Sequence, residues 1–149
     1  MSGEYDDCLK RGKIKPFSRG PELAVKELEA AANDLARAQK TFAEGDYKWS
    51  TIQLYYSMFH SARTLLYYKR FREHSHYCLA SAIRVLYVET KLLPFPLMEA
   101  FQQAKELRED ADYYNRWSQE GCRKLLDCAK EFLDKAGEII GNPQSDQAV

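Results

Sequence analysis

Apolar residues recur along most of this chain at steps of three and four, the period of a helix with one buried face. The first such stretch begins near Pro21, which suits a first helical turn because it lacks the N–H that would go unpaired there. It carries Val25, Leu28, Ala32, Leu35 and Phe42 on one side. Glu22, Glu27 and Glu29 lie toward its start, where carboxylates complement the helix dipole, and Gly45 ends it. Asp46 is placed to cap a second helix, DYKWSTIQLYYSMFHSARTLLYYKRF. Its apolar set of Ile52, Tyr55, Tyr56, Phe59, Ala62, Leu65 and Leu66 is too broad for a surface helix and predicts a central one. Ser75 opens a third helix, with Leu79, Ile83, Leu86 and Thr90 on one side, before Pro94 and Pro96 break the run. A fourth is expected from about Leu97 to Tyr114. A fifth runs from about Ser118 to Ile140, striped by Cys122, Leu125, Ala129, Phe132, Ala136 and Ile140.

No stretch alternates as a strand does. The pattern predicts an all-α protein: an up-and-down antiparallel bundle of four to five helices, in a single domain over residues 21–140. Residues 1–20 lack clear periodicity and are expected as a basic, loosely ordered leader whose Leu9, Ile14 and Phe17 fold back on the domain. Residues 141–149 are expected as a flexible tail.

Composition narrows the class. Of 149 residues, 45% are hydrophobic and 30% charged, enough to build a core and too apolar for a disordered chain. Twenty-two basic residues balance 22 acidic ones, so any attraction to nucleic acid must be local. No run approaches the ~20 apolar residues of a membrane span, and MSGEYDDCLKRGK has no signal-like apolar core. A cytoplasmic protein without membrane contact is expected. Cys8, Cys78, Cys122 and Cys128 form no CxxC pair, so neither a zinc site nor a disulfide framework is expected, only reduced, mostly buried thiols.

The helix that starts near Leu97 carries an oddity. Leu97, Phe101, Ala104, Arg108 and Ala111 share one face, so a permanent cation interrupts an otherwise apolar or small stripe. Such a guanidinium needs a partner or a wet cleft. Asp112, four residues on, can pair with it, leaving two readings: a structural ion pair or an anion-binding site. Tyr56, His60, Arg63 and Tyr67 line one edge of the preceding long helix. They make either a helix seam or a place where rings stack on bases and cations hold phosphate. The turn KRFREHSHY gathers Lys69, Arg70, Arg72, His74 and His76 without the further ligands a metal needs, so no metal and no cofactor is expected. HExxH, P-loop, Rossmann and GxSxG motifs are absent.

Three blocks carry a family resemblance: DLARAQKTFAEGDYKWSTIQLYYSMFHSARTLL, SHYCLASAI and LREDADYY. Together, over roughly residues 22–140, the chain resembles HEPN-domain proteins, in particular small prokaryotic ones often encoded beside a minimal nucleotidyltransferase. The resemblance implies a helical bundle that dimerises around a cleft. Active members are metal-independent ribonucleases with an Arg, four to six intervening residues, and a His. There the Arg stabilises the phosphate and the His assists proton transfer from the 2′-hydroxyl. In toxin–antitoxin members an Arg-x4-His-x-Tyr element also holds a tyrosine that the nucleotidyltransferase modifies with AMP. Here Arg108 matches the Arg, Tyr113 stands at the histidine position and Asn115 at the final tyrosine.

The resemblance therefore implies a homodimeric module that partners a minimal nucleotidyltransferase. It would bind nucleotide or RNA phosphate through Arg108, Asp112 and Tyr113, with Tyr56, His60 and Arg63 as further candidates. Tyr113 and Tyr114 are the candidate AMP acceptors. Two alternatives stand beside it: a metal-independent RNA endonuclease with a degenerate Arg-x4-His motif, Arg108 with Tyr113, whose chemistry is relocated to His60 or His76, and a non-catalytic structural adaptor.

Overall fold

The computed structural model describes residues 2–141, and the predicted tail at 142–149 lies outside them. In chain order the elements are α1 (Ser2–Lys10), β1 (Ile14–Pro16), α2 (Gly20–Ala43), α3 (Tyr47–Tyr68), β2 (Phe71–Glu73), α4 (His76–Ile83), α5 (Phe95–Tyr113) and α6 (Gln119–Ile140). The end of α4 widens into a π-helical turn over Arg84–Val88. The protein is all-α apart from a pair of three-residue strands.

The central position predicted for the second long helix holds: α3 packs against α2, α4, α5 and α6. Its buried residues run in adjacent pairs, such as Leu54–Tyr55, Ser57–Met58 and Ser61–Ala62, so more than one side is covered. Adjacent residues lie about 100° apart around a helix, which leaves no polar stripe of ordinary width. The seam with α2 is made of small residues. Ser50 Oγ donates to the Ala38 carbonyl and Ser57 Oγ to that of Ala31, each at 2.8 Å, so these hydroxyls are buried without loss of a hydrogen bond. Gly20 lies against the Tyr67 carbonyl with no room for a Cβ. Predicted caps are in place: Asp46 accepts from Trp49 N at 3.4 Å and Ser75 from Cys78 N at 3.1 Å.

Four expectations about the elements need correction. The long helix was expected to continue to Phe71, yet α3 ends at Tyr68, where Arg70 takes φ +67 and turns the chain into β2. That strand pairs antiparallel with β1, Ile14 facing Glu73, and three-residue strands are too short to show an alternating pattern. The helix opened by Ser75 changes to π geometry at Arg84 instead of running as one α-helix toward Thr90. Residues 2–16, expected to be loosely ordered, form α1 and β1, with Tyr5, Cys8 and Ile14 buried.

The cysteines divide. Cys8 and Cys78 form a disulfide across 70 residues, against the expectation of four reduced thiols, while Cys122 and Cys128 are free. Chain spacing could not reveal this pair, because α1 meets α4 only through the fold. Closing so long a loop removes unfolded-chain freedom on the order of 4 kcal/mol. Glu4 adds polar ties to the same joint, accepting from Arg84 Nη2 at 2.8 Å and Ser81 Oγ at 3.2 Å. No helix among the described residues is long and apolar enough to cross a membrane.

Candidate functional site

Arg108 sits on α5 among the buried residues Phe101, Ala104 and Ala111, as the stripe predicts. Its side chain is 20% exposed, so the guanidinium is neither sealed nor free. Nη2 donates to Tyr56 Oη at 3.0 Å and stands 3.3 Å from Asp112 Oδ2. Three phenol rings surround the cation, with the guanidinium carbon 5.7 Å from the Tyr55 ring centre, 5.5 Å from Tyr56 and 5.4 Å from Tyr113. Nε is buried without a hydrogen-bond partner. A guanidinium has five donors in one plane, so this arrangement uses a minority of them. It is an aromatic cage with spare donors.

The edge Tyr56–His60–Arg63–Tyr67 is divided by the fold. Tyr56 joins Arg108, and the next two residues join a set of carboxylates. His60 Nδ1 lies 2.8 Å from Glu27 Oε1, and its Nε2 lies 3.8 Å from Asp34. Arg63 donates twice to Glu73 Oε2, from Nε at 3.0 Å and Nη2 at 2.7 Å, with Glu27 at 3.6 Å from Nη1. Phe59 covers the guanidinium at 4.4 Å. Burial works against the charge of Arg63, but the hydrogen bonds to Glu73 together with the charges of Glu73, Tyr67 and Glu27 outweigh it, raising its pKa. A phosphate would have to displace these carboxylates.

Sequence reasoning missed how Tyr55 links α3 to α4. Its ring faces Arg108, while its hydroxyl lies 3.1 Å from His76 Nδ1. Burial pushes the Tyr55 phenol up to about 12 and the His76 imidazole down to about 4, so both are neutral at pH 7. Neutral imidazole lets Nδ1 accept the phenolic proton. His76 also lines a cavity of about 280 Å³ between α4 and α5, with Gln102, Lys105 and Glu106. A second, about 290 Å³, lies between α5 and α6, lined by Gln103, Leu107 and Lys124 among others. Neither includes Arg108. Among the described residues no cluster of His, Cys, Asp and Glu could hold a metal.

Tyr113 and Tyr114, at the end of α5, are 65% and 64% exposed, so their hydroxyls are open to another molecule. Trp49, Lys48 and Trp117 lie nearby, linked through the 114–118 segment, and were not singled out in the sequence. Their signal was available: DYKWS and DYYNRWS both interleave aromatic and basic residues at a helix end.

These features define a helical bundle with an arginine-centred surface at the end of its α5 helix. The family model described as HEPN domain matches residues 24–139, most of the chain, and the protein belongs to the HEPN family. No curated protein matches it. Arg108, Asp112 and Tyr113 fall inside the matched span, whereas α1, β1 and Cys8 fall outside it.

Proposed function

We propose that this HEPN protein is a non-cleaving phosphate-binding module, a homodimer in which Arg108 takes a phosphate of a nucleotide or RNA. The carrying observation is the unequal saturation of its arginines. Arg63 makes two hydrogen bonds to the buried Glu73 with Glu27 beside it, while Arg108 makes one, to a phenol, and faces one partly exposed acid beside exposed tyrosines. An oxyanion supplies the planar acceptors that a guanidinium lacks there. An isologous dimer would set two such arginines around one cleft while leaving the aromatic surface at the α5 ends open. The absence of an imidazole at position 113 favours binding over cleavage, since a phenol is a poor proton acceptor near neutral pH. The partner this reading assigns is a minimal nucleotidyltransferase, for which Tyr113 and Tyr114 are accessible AMP acceptors.

The test is binding of a dye-labelled oligoribonucleotide, followed by fluorescence anisotropy, to wild type and Arg108→Gln. Losing a charge-assisted contact should weaken binding about tenfold or more. Equal affinity in the two proteins, or no binding by wild type, would refute the reading.

A further inference from the structure

Nine large apolar side chains are exposed among the described residues, and five of them gather in one place: Trp49, Tyr56, Tyr113, Tyr114 and Trp117. All five are aromatic. They lie where the start of α3 meets the end of α5 and the 114–118 segment. Cations are interleaved with them. Arg108 faces Tyr56 and Tyr113, and Arg116 stands 5.3 Å from the Tyr114 ring centre. Lys48 Nζ sits between the two indoles, 5.5 Å from the Trp49 ring centre and 5.8 Å from that of Trp117. Its one hydrogen bond is to Asn115 Oδ1 at 3.4 Å. Asn115 itself takes φ +55, the left-handed turn at which the chain leaves α5 for Trp117.

The charge on Lys48 differs from its neighbours. Arg108 has Asp112, and Arg116 has Asp110 at 3.7 Å. Lys48 pairs with no carboxylate among the described residues, although 22 acidic side chains are available in the chain. An ammonium between two exposed indoles, without a counter-ion, complements a ligand that brings both ring faces and negative charge. A single-stranded polynucleotide does so at every nucleotide.

We propose that this surface is a stacking platform for single-stranded nucleic acid, with unpaired bases on Trp49 and Trp117 and a phosphate on Lys48. The inference rests on the Arg108 reading for its neighbouring phosphate and adds the ligand's class: an unpaired strand rather than a free nucleotide. A second copy of this chain is a poorer occupant. It would bury Lys48 without a carboxylate, at a desolvation cost that protein interfaces avoid by excluding lysine from their centres.

The chain has only two tryptophans, and both are in the platform, so its own fluorescence reports the event. The full chain is titrated with an unlabelled oligoribonucleotide while tryptophan emission is read, and separately with the dye-labelled strand for anisotropy. Quenching should saturate together with the anisotropy rise. Trp49→Leu and Trp117→Leu should each weaken binding at least about fivefold, and Trp49→Phe should restore much of it. Lys48→Gln should flatten the salt dependence by about one phosphate contact. A matched deoxyribonucleotide strand separates the two sources: equal binding assigns shared strand chemistry, and weaker binding assigns RNA.

An Arg108-dependent anisotropy rise without quenching would overturn the platform and leave the phosphate reading standing. No rise at all would remove both. Tryptophans shielded from acrylamide as protein concentration increases, with no strand added, would show that a second copy covers the surface, and that too would overturn the proposal.

Discussion

Two arginines in this bundle differ only in what surrounds them. Arg63 lies between α3 and β2 with Glu73, Glu27 and the Phe59 ring, and the Glu73 side chain is 4% exposed. Arg108 lies on α5 with three phenol rings and one carboxylate, itself 33% exposed. The first is a closed electrostatic unit, in which every partner is inside the fold. The second has aromatic walls that hold the cation in place without neutralising it. Rings satisfy a guanidinium's faces and leave its edge donors for planar acceptors. The comparison teaches that residue type does not distinguish a strut from a binding group. Hydrogen-bond saturation does.

The largest effect should come from opening the closed unit. Arg63→Met leaves the Glu73 carboxylate buried and unpaired, and should cost roughly 3–5 kcal/mol in denaturant unfolding. Replacing both, Arg63→Met with Glu73→Leu, should cost clearly less than either charge left alone, because no buried ion then remains. A cost for Arg63→Met within the range of exposed pairs, below about 1 kcal/mol, would erase the distinction between the regions.

How far this contrast can be read from sequence depends on chain distance. Arg108 and Asp112 are one helical turn apart, so their pairing and the arginine's place among Phe101, Ala104 and Ala111 follow from periodicity alone. Glu73 lies ten residues from Arg63 across a turn, and Glu27 comes from α2, so their convergence needed the fold. The same holds for Cys8 with Cys78 and for Tyr55 with His76, whose partners meet only when α1, α3 and α4 pack. Helix positions were legible because burial repeats along each one. Strands β1 and β2 were not, because three residues cannot establish a period.

A smaller effect tests the boundary between the two regions, where Tyr55 turns its ring to Arg108 and its hydroxyl to His76. The folded His76 pKa of about 4 lies below the ordinary 6.5 of an unfolded chain, because burial disfavours the cation and Lys105 repels it, opposed by Glu109. Between those values the unfolded chain binds a proton that the fold refuses. Stability is therefore retained above pH 6.5 and falls on acidification toward pH 4, by roughly 2–3 kcal/mol from this group. Carboxylates contribute to the same curve, so the informative quantity is a difference. Unfolding free energies at pH 7 and pH 4.5 should diverge less in His76→Gln, which keeps an acceptor for Tyr55 and cannot titrate. An identical pH dependence in the two proteins would place His76 in solvent.

The smallest change in stability should give the most informative change in binding. Asp112 is one-third exposed and meets Arg108 at 3.3 Å, so it contributes no more than a surface pair does, and Asp112→Asn should shift unfolding by less than about 1 kcal/mol. It also competes with any incoming anion for the same guanidinium and repels it. Removing its charge should strengthen oligonucleotide binding severalfold, most visibly at low salt, where screening is weakest. The opposite sign is expected at the other arginine, where losing a carboxylate only damages the fold. If Asp112→Asn weakens binding, or destabilises the protein as Arg63→Met does, then Arg108 is held by its own acid as a strut, and the aromatic cage has no guest to wait for.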